Sequence, residues 1–195
     1  MSPEARKDRG QRAGSGSSDT ALIVIDMLNH YEHEDADALR RSVRRVLPAL
    51  QTLRARARAA ELPIVYVNDN HGDWAAGRAE LCERALSGSD PALVQPVLPD
   101  ARDAFLVKAR HSIFYETQLD YMLRHQGVER IVLAGQVTEQ CILYSALDGF
   151  VRHYSIVLPR DAVAAIHEDL AEAAVRMMEI NMSAEIASAA TCSLG

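Results

Sequence analysis

Short runs of aliphatic and β-branched residues, continuous rather than alternating with polar ones, recur between longer amphipathic stretches along this chain. Few folds satisfy that pattern. ALIVID (Ala21 to Asp26) precedes a helical pattern from Ala36 to Ala60, and PIVYVN (Pro63 to Asn68) precedes a second from Ala75 to Ser87. A loop punctuated by Pro91, Pro96 and Pro99 leads to a strand over Ala104 to Lys108 and a helix over Thr117 to Gln126. Then follow a strand at Ile131 to Ala134, a helix opened by Thr138, a strand at Tyr154 to Leu158, a helix at Glu168 to Asn181 and a short strand at Ala184 to Ser188. Continuous apolar strands are those buried on both faces, as in a parallel sheet covered by helices. The pattern predicts an α/β fold, a doubly wound three-layer sandwich with a mostly parallel, six-stranded sheet.

The chain has 195 residues, 48% of them hydrophobic and 25% charged, enough for one well-buried domain and short for two. Residues 1–19, MSPEARKDRGQRAGSGSSD, mix charge with Gly and Ser and offer little to bury, so a disordered tail is expected before a domain over 20–195. A formal net charge of −6 without a concentrated basic surface argues against a nucleic-acid partner and for a small-molecule substrate. The arginine-rich stretch RRSVRRVLPALQTLRARARAA carries Val43, Val46, Leu47, Leu50 and Leu53 at helical spacing, which fits a solvated face over a core-facing stripe. No apolar run approaches the roughly 20 residues of a membrane span, and the N-terminal stretch lacks a signal-peptide core. Three cysteines, Cys82, Cys141 and Cys192, form an odd set without metal-site spacing. They fit a reducing compartment, so a cytoplasmic protein without disulfides is expected.

In doubly wound sheets, ligands sit beyond the carboxyl ends of the strands. Those ends carry Asp26 after the first strand, Asn68 and Asp69 after the second, Lys108 at the third and Cys141 just past the fourth. Cys141 stands where a strand turns into a helix, and the unpaired N–H groups and dipole of a helix start favour thiolate and can hold an oxyanion. An acid, an amine and a thiol together can run one hydrolysis: the carboxylate takes the thiol proton and returns it to a leaving amine, while the ammonium stabilises negative charge. Taken singly, each has a plainer reading, Asp26 as a helix-capping acid, Lys108 as a surface lysine and Cys141 as a small buried hydrophobe. Cys82 and Cys192 have no comparable setting, and packing is expected of both.

Three segments in order, LIVIDM with Asp26, VKARHSIFYET with Lys108 and GQVTEQCILYSALDGFVRHYSIVLPRDAVA with Cys141, resemble the isochorismatase-like cysteine hydrolases over nearly the whole chain after the tail. That family includes nicotinamidases, N-carbamoylsarcosine amidases and a hydrolase of a streptothricin-type lactam. The resemblance implies catalytic roles for Asp26, Lys108 and Cys141, a cis peptide between Gln136 and Val137, and an oxyanion hole from the N–H groups of Val137 and Cys141. It implies hydrolysis of a C–N bond in a small amide, lactam or ureide through a thioester, with Asp26 also serving as base toward water. It further implies a homodimer or homotetramer. Two alternatives remain open: isochorismatase-type vinyl-ether hydrolysis, which needs no thiol, and a metabolite-binding scaffold without catalysis. A dinucleotide oxidoreductase is disfavoured because no Gly-rich fingerprint follows ALIVID.

Around the predicted mouth, Tyr31, Asn68, His71, Trp74 and Phe114 are the expected substrate-binding residues, with Tyr115 bordering them. Phe114 as a core residue and Trp74 as an anchor of its own loop are the competing readings. The zinc-dependent relatives carry an Asp-x-His pair plus a further His; here Asp69 and His71 reproduce only the pair. A catalytic zinc site usually needs three protein ligands. No cofactor is therefore expected, with zinc on Asp69 and His71 as the alternative. His30, His33, His125, His153 and His167 are expected to be solvated or structural.

Overall fold

The computed structural model describes residues 19–195. The expected tail lies outside the described residues except for Asp19, whose carbonyl accepts the N–H groups of Glu129 and Arg130 at 2.7 and 2.9 Å. The sheet begins with β1 (Thr20–Ile25) and continues through β2 (Ile64–Asp69), β3 (Ala104–Lys108), β4 (Arg130–Gln136), β5 (Ser155–Pro159), β6 (Val163–Ala164) and β7 (Glu185–Ala187). The helices are α1 (Ala36–Ala59), α2 (Arg78–Ser87), α3 (Pro91–Val94), α4 (Leu119–His125), α5 (Leu143–Val151) and α6 (Glu168–Met182). All strand pairs are parallel, in the order β3-β2-β1-β4-β5-β7, with β6 against the end of β4.

Every residue of β1 is buried, and its neighbours in sequence face opposite layers. Leu22 and Val24 join Leu39, Val43, Leu50 and Leu53 of α1 in one core, while Ala21, Ile23 and Ile25 join Leu123 of α4, Ala146 of α5 and Met178 of α6 in the other. The unbroken run ALIVID is thus explained by two apolar ceilings rather than one. Removing a large side chain from either core typically costs about 2–5 kcal/mol.

Sequence and structure part at three places. The sheet has seven strands rather than six, because β5 pairs with β4 only as far as Val132 and β6 then takes up Gly135 and Gln136. Two residues are too few to show any periodicity. The loop expected over Pro91 to Pro99 instead contains α3 and a 3₁₀ turn over Gln95–Val97, with Pro91 and Pro96 each placed in the first turn of one of them, where a proline has no N–H to lose. Arg54 of α1 secures this segment by donating to the carbonyls of Pro96 and Leu98, each at 2.8 Å. The third difference is the start of α5: Thr138–Ile142 form a π-helical turn, closed by Ile142 N–H to Val137 O at 3.1 Å, and the α-helix begins at Leu143.

β1 and β4 lie side by side, and the chain leaves them in opposite directions, β1 toward β2 and β4 toward β5. The crevice at such a switch point is where this architecture gathers its ligand-facing residues. Close approach of the two strands there depends on Gly135, at φ +117°, where a Cβ would lie 2.1 Å from the carbonyl oxygen of Ile25.

Candidate active site

The carboxyl ends of β1 and β3 and the turn after β4 bring Asp26, Lys108 and Cys141 into one contact group. Asp26 follows the last residue of β1 with a left-handed backbone, φ 55°, while its N–H still bonds Val67 O at 3.0 Å. Its carboxylate is thereby turned off the strand and over the crevice. Asp26 Oδ2 lies 2.8 Å from Lys108 Nζ, and Asp26 Oδ1 accepts the Asp69 N–H at 2.8 Å. Lys108 Nζ is 3.5 Å from Cys141 Sγ and 3.7 Å from Asp69 Oδ2. Although β3 is the sheet edge, Lys108 is only 2% exposed, since its side chain reaches across β2 to the crevice.

The turn that carries Cys141 is held from outside. Thr138 Oγ1 donates to Ala164 O at 2.9 Å, and Glu139 Oε1 accepts the N–H groups of Ile166 and His167 at 2.9 and 2.7 Å. These bonds tie the turn to β6 and to the start of α6. The Gln136–Val137 peptide that enters it is cis.

The electrostatics correct one expectation. A helix start favours thiolate, but here burial, together with the charge of Asp26 and its hydrogen bond, pushes the Cys141 thiol up, and Lys108 pulls it down only in part. Cys141 rests as a thiol. Burial also works against the Lys108 ammonium, yet the charges of Asp26, Cys141 and Asp69 hold its pKa above the ordinary value. The group therefore rests as a carboxylate–ammonium pair beside a protonated sulfur. Its proton can move to the carboxylate when an electrophile arrives.

The expected substrate-binding residues fare differently. Asn68 is 1% exposed and clamps the loop after β1, accepting Leu28 N–H at 2.8 Å and donating to Leu28 O at 3.1 Å. Its amide is occupied by the chain itself. Tyr31 is buried too, with its hydroxyl 3.5 Å from Gln136 Oε1, and it lines a cavity with Glu32, Ala36, Asp37, Arg40 and Ser89, none of them among the expected substrate-binding residues. Phe114 belongs to the core: it stacks on Tyr154 at 5.7 Å under the Arg152 guanidinium, and Tyr154 precedes β5, at the amino ends of the strands. The loop after β3 has by then run back down the helical layer. Trp74 is 83% exposed, which suits neither a pocket wall nor a loop anchor.

His71 is half-buried, with Nε2 3.2 Å from Leu28 O and its ring edge-on to His30 at 5.4 Å. Asp69 turns Oδ1 to the His71 N–H and Oδ2 toward Lys108. Among the described residues, no group of three or more His, Cys, Asp or Glu side chains is placed to hold a metal ion. The donor set at Asp69 and His71 stops at two, and both side chains face protein partners.

Two residues have roles here that the sequence did not assign to them. Gln136, 1% exposed, donates through Nε2 to the Asp26 carbonyl at 2.5 Å and so fixes the backbone that aims the carboxylate. His111 places Nδ1 3.8 Å from Cys141 Sγ and stacks on Tyr144 at 5.3 Å. The spacing of Cys141 and Tyr144 was a usable signal, since residues three apart share a helical face. No local pattern brings His111 to them from 30 residues away.

The family model described as the isochorismatase domain matches residues 20–191. The chain is 33% identical over 169 residues to the uncharacterized isochorismatase family protein YaaI of Bacillus subtilis (strain 168), covering 87% of this chain and 93% of that protein. It is 30% identical over 193 residues to the ureidoacrylate amidohydrolase RutB of Pantoea ananatis (strain LMG 20103), covering 85% of this chain and 77% of that protein. Among solved structures, the N-carbamoylsarcosine amidase of Thermoplasma acidophilum superposes with a TM-score of 0.67 at 26% identity, covering 89% of this chain and 98% of that one.

Proposed function

Since the chain belongs to the isochorismatase family, we propose that it is a cysteine hydrolase cleaving a C–N bond of a small amide, lactam or ureide. The observation that carries this reading is a single ammonium, Lys108 Nζ, in reach of both the Asp26 carboxylate at 2.8 Å and the Cys141 sulfur at 3.5 Å. Asp26 takes the proton of the Cys141 thiol as sulfur adds to the substrate carbonyl carbon. The N–H groups of Val137 and Cys141 hold the oxyanion, and Lys108 balances the charge of the pair. As the C–N bond breaks, Asp26 passes its proton to the departing nitrogen. The acyl group stays on Cys141 as a thioester, which water then cleaves, returning the proton to sulfur.

The relatives named as amidohydrolases support the reaction class, and the thiol favours acyl chemistry over vinyl-ether hydrolysis, which has no use for it. The reaction as drawn calls on no cofactor. A cytoplasmic setting is part of the same reading, since the three cysteines are free. So is a homodimer or homotetramer, supported by Leu147, Phe150 and Val151, which leave exposed apolar surface on α5. Among the described residues no helix is long and apolar enough to cross a membrane.

An ammonia-release and mass-shift screen over nicotinamide, carbamoyl amino acids, ureides and cyclic lactams, run with wild type and Cys141→Ala, tests the reading. At least one compound should turn over in wild type and none in the variant. Equal hydrolysis by both proteins would refute it.

A further inference from the structure

Thioester hydrolysis needs a base where water can reach the acyl carbon, and Asp26 is poorly placed for that. Its side chain is 10% exposed, with Oδ2 on the Lys108 ammonium and Oδ1 on the Asp69 N–H. Those contacts suit the first half-reaction, in which the proton travels only from Sγ to the carboxylate and on to the leaving nitrogen. The second half-reaction brings a proton donor from solvent. On the solvent side of Cys141 stands His111, exposed, with Nδ1 3.8 Å from Sγ and its ring face supported by Tyr144.

Resting on the thioester reading above, we propose that His111, rather than Asp26, is the base that activates water in the second half-reaction. The carbonyl carbon of an acylated Cys141 is one C–S bond from Sγ, so a water attacking it can also lie within hydrogen-bond reach of the imidazole. Imidazole is the side chain whose basicity suits proton removal at neutral pH. The water O–H bond breaks toward the ring nitrogen as oxygen bonds to the acyl carbon. The C–S bond then breaks, and the departing sulfur recovers the proton from the imidazolium. The products are a carboxylic acid and the free thiol, and both imidazole and thiol return to their starting states. Tyr144 acts as a positioning residue, since the stack fixes the plane of the ring.

p-Nitrophenyl acetate tests the assignment, because it acetylates a reactive thiol without the natural substrate and releases a coloured product at that step. Wild type, His111→Phe, His111→Gln and Cys141→Ala are compared, with folding checked by circular dichroism. In both His111 variants the initial burst of p-nitrophenolate should persist, while the steady-state rate falls about a hundredfold. Acetyl-Cys141 should accumulate in acid-quenched samples, and added imidazole should restore much of the steady-state rate. A steady-state rate in either folded variant within about twofold of wild type, with Cys141 still acetylated, overturns the His111 assignment alone. An undiminished burst in Cys141→Ala instead overturns the thioester reading beneath it.

Discussion

At the scale of single residues, Asp26 governs the thiol. Burial and Asp26 push Cys141 up, and Lys108 is the opposing influence. Asp26→Asn removes one upward contribution and leaves Lys108 in place, so the thiol becomes easier to ionise while the proton acceptor is lost. Iodoacetamide should alkylate Cys141 of this variant faster than wild type near pH 8, while kcat falls by about 10²–10⁴. Slower alkylation would show that Asp26 does not hold the thiol protonated. Lys108→Met leaves Asp26 and Asp69 facing each other across the vacated site. Breaking a buried pair in this way should cost about 3–5 kcal/mol of stability, read from urea midpoints, in addition to activity. The positions of Asp26, Lys108 and Cys141 were legible because a strand end needs only a strand to locate it, while the roles expected of them came from the family resemblance. Phe114 and Asn68 were not, since a loop's path decides whether a side chain meets a ligand, a core or its own backbone.

At the scale of elements, the approach of β4 to β1 fixes where the cysteine turn begins. Gly135→Ala would drive a Cβ against the Ile25 carbonyl at a φ that L residues avoid, and should lower stability by about 2–4 kcal/mol by chemical denaturation. Activity should fall further than stability explains, because Asp26 and Gln136 adjoin the displaced strands. An unchanged urea midpoint would contradict the tight β1–β4 contact. The long helices were readable because α1 repeats its stripe from Leu39 to Ala57, even past Pro48, whose missing N–H falls where Arg44 is exposed. The π turn was not, because its five residues look like any helix start until Thr138 and Glu139 are seen bonded to Ala164, Ile166 and His167.

For the molecule as a whole, the buried groups make stability fall at high pH. Burial and the Asp120 hydrogen bond push Tyr154 up to about 12, and burial pushes Tyr31 and Tyr66 up as well. Above a pH of about 10 the unfolded chain releases these protons before the folded one does. Stability from these groups is therefore complete below about pH 10 and lost as pH rises through about 12. Urea midpoints measured at pH 8, 10 and 11.5 should hold between the first two and drop at the third; a midpoint that rises instead would contradict the burial of the tyrosines. The sheet order itself, with β1 and β4 central, was implied by the unbroken apolar runs only as far as a parallel, doubly wound class. Which strands adjoin is set by long-range packing that no local pattern encodes. That adjacency is what joins three distant segments into one chemical unit, and its product is a covalent intermediate. Acid-quenched protein taken during turnover of a cleaved amide, analysed by intact mass and peptide mapping, should carry the acyl mass on Cys141 and on neither Cys82 nor Cys192. Turnover with Cys141 unmodified at every time point, and undiminished in Cys141→Ala, would contradict the account.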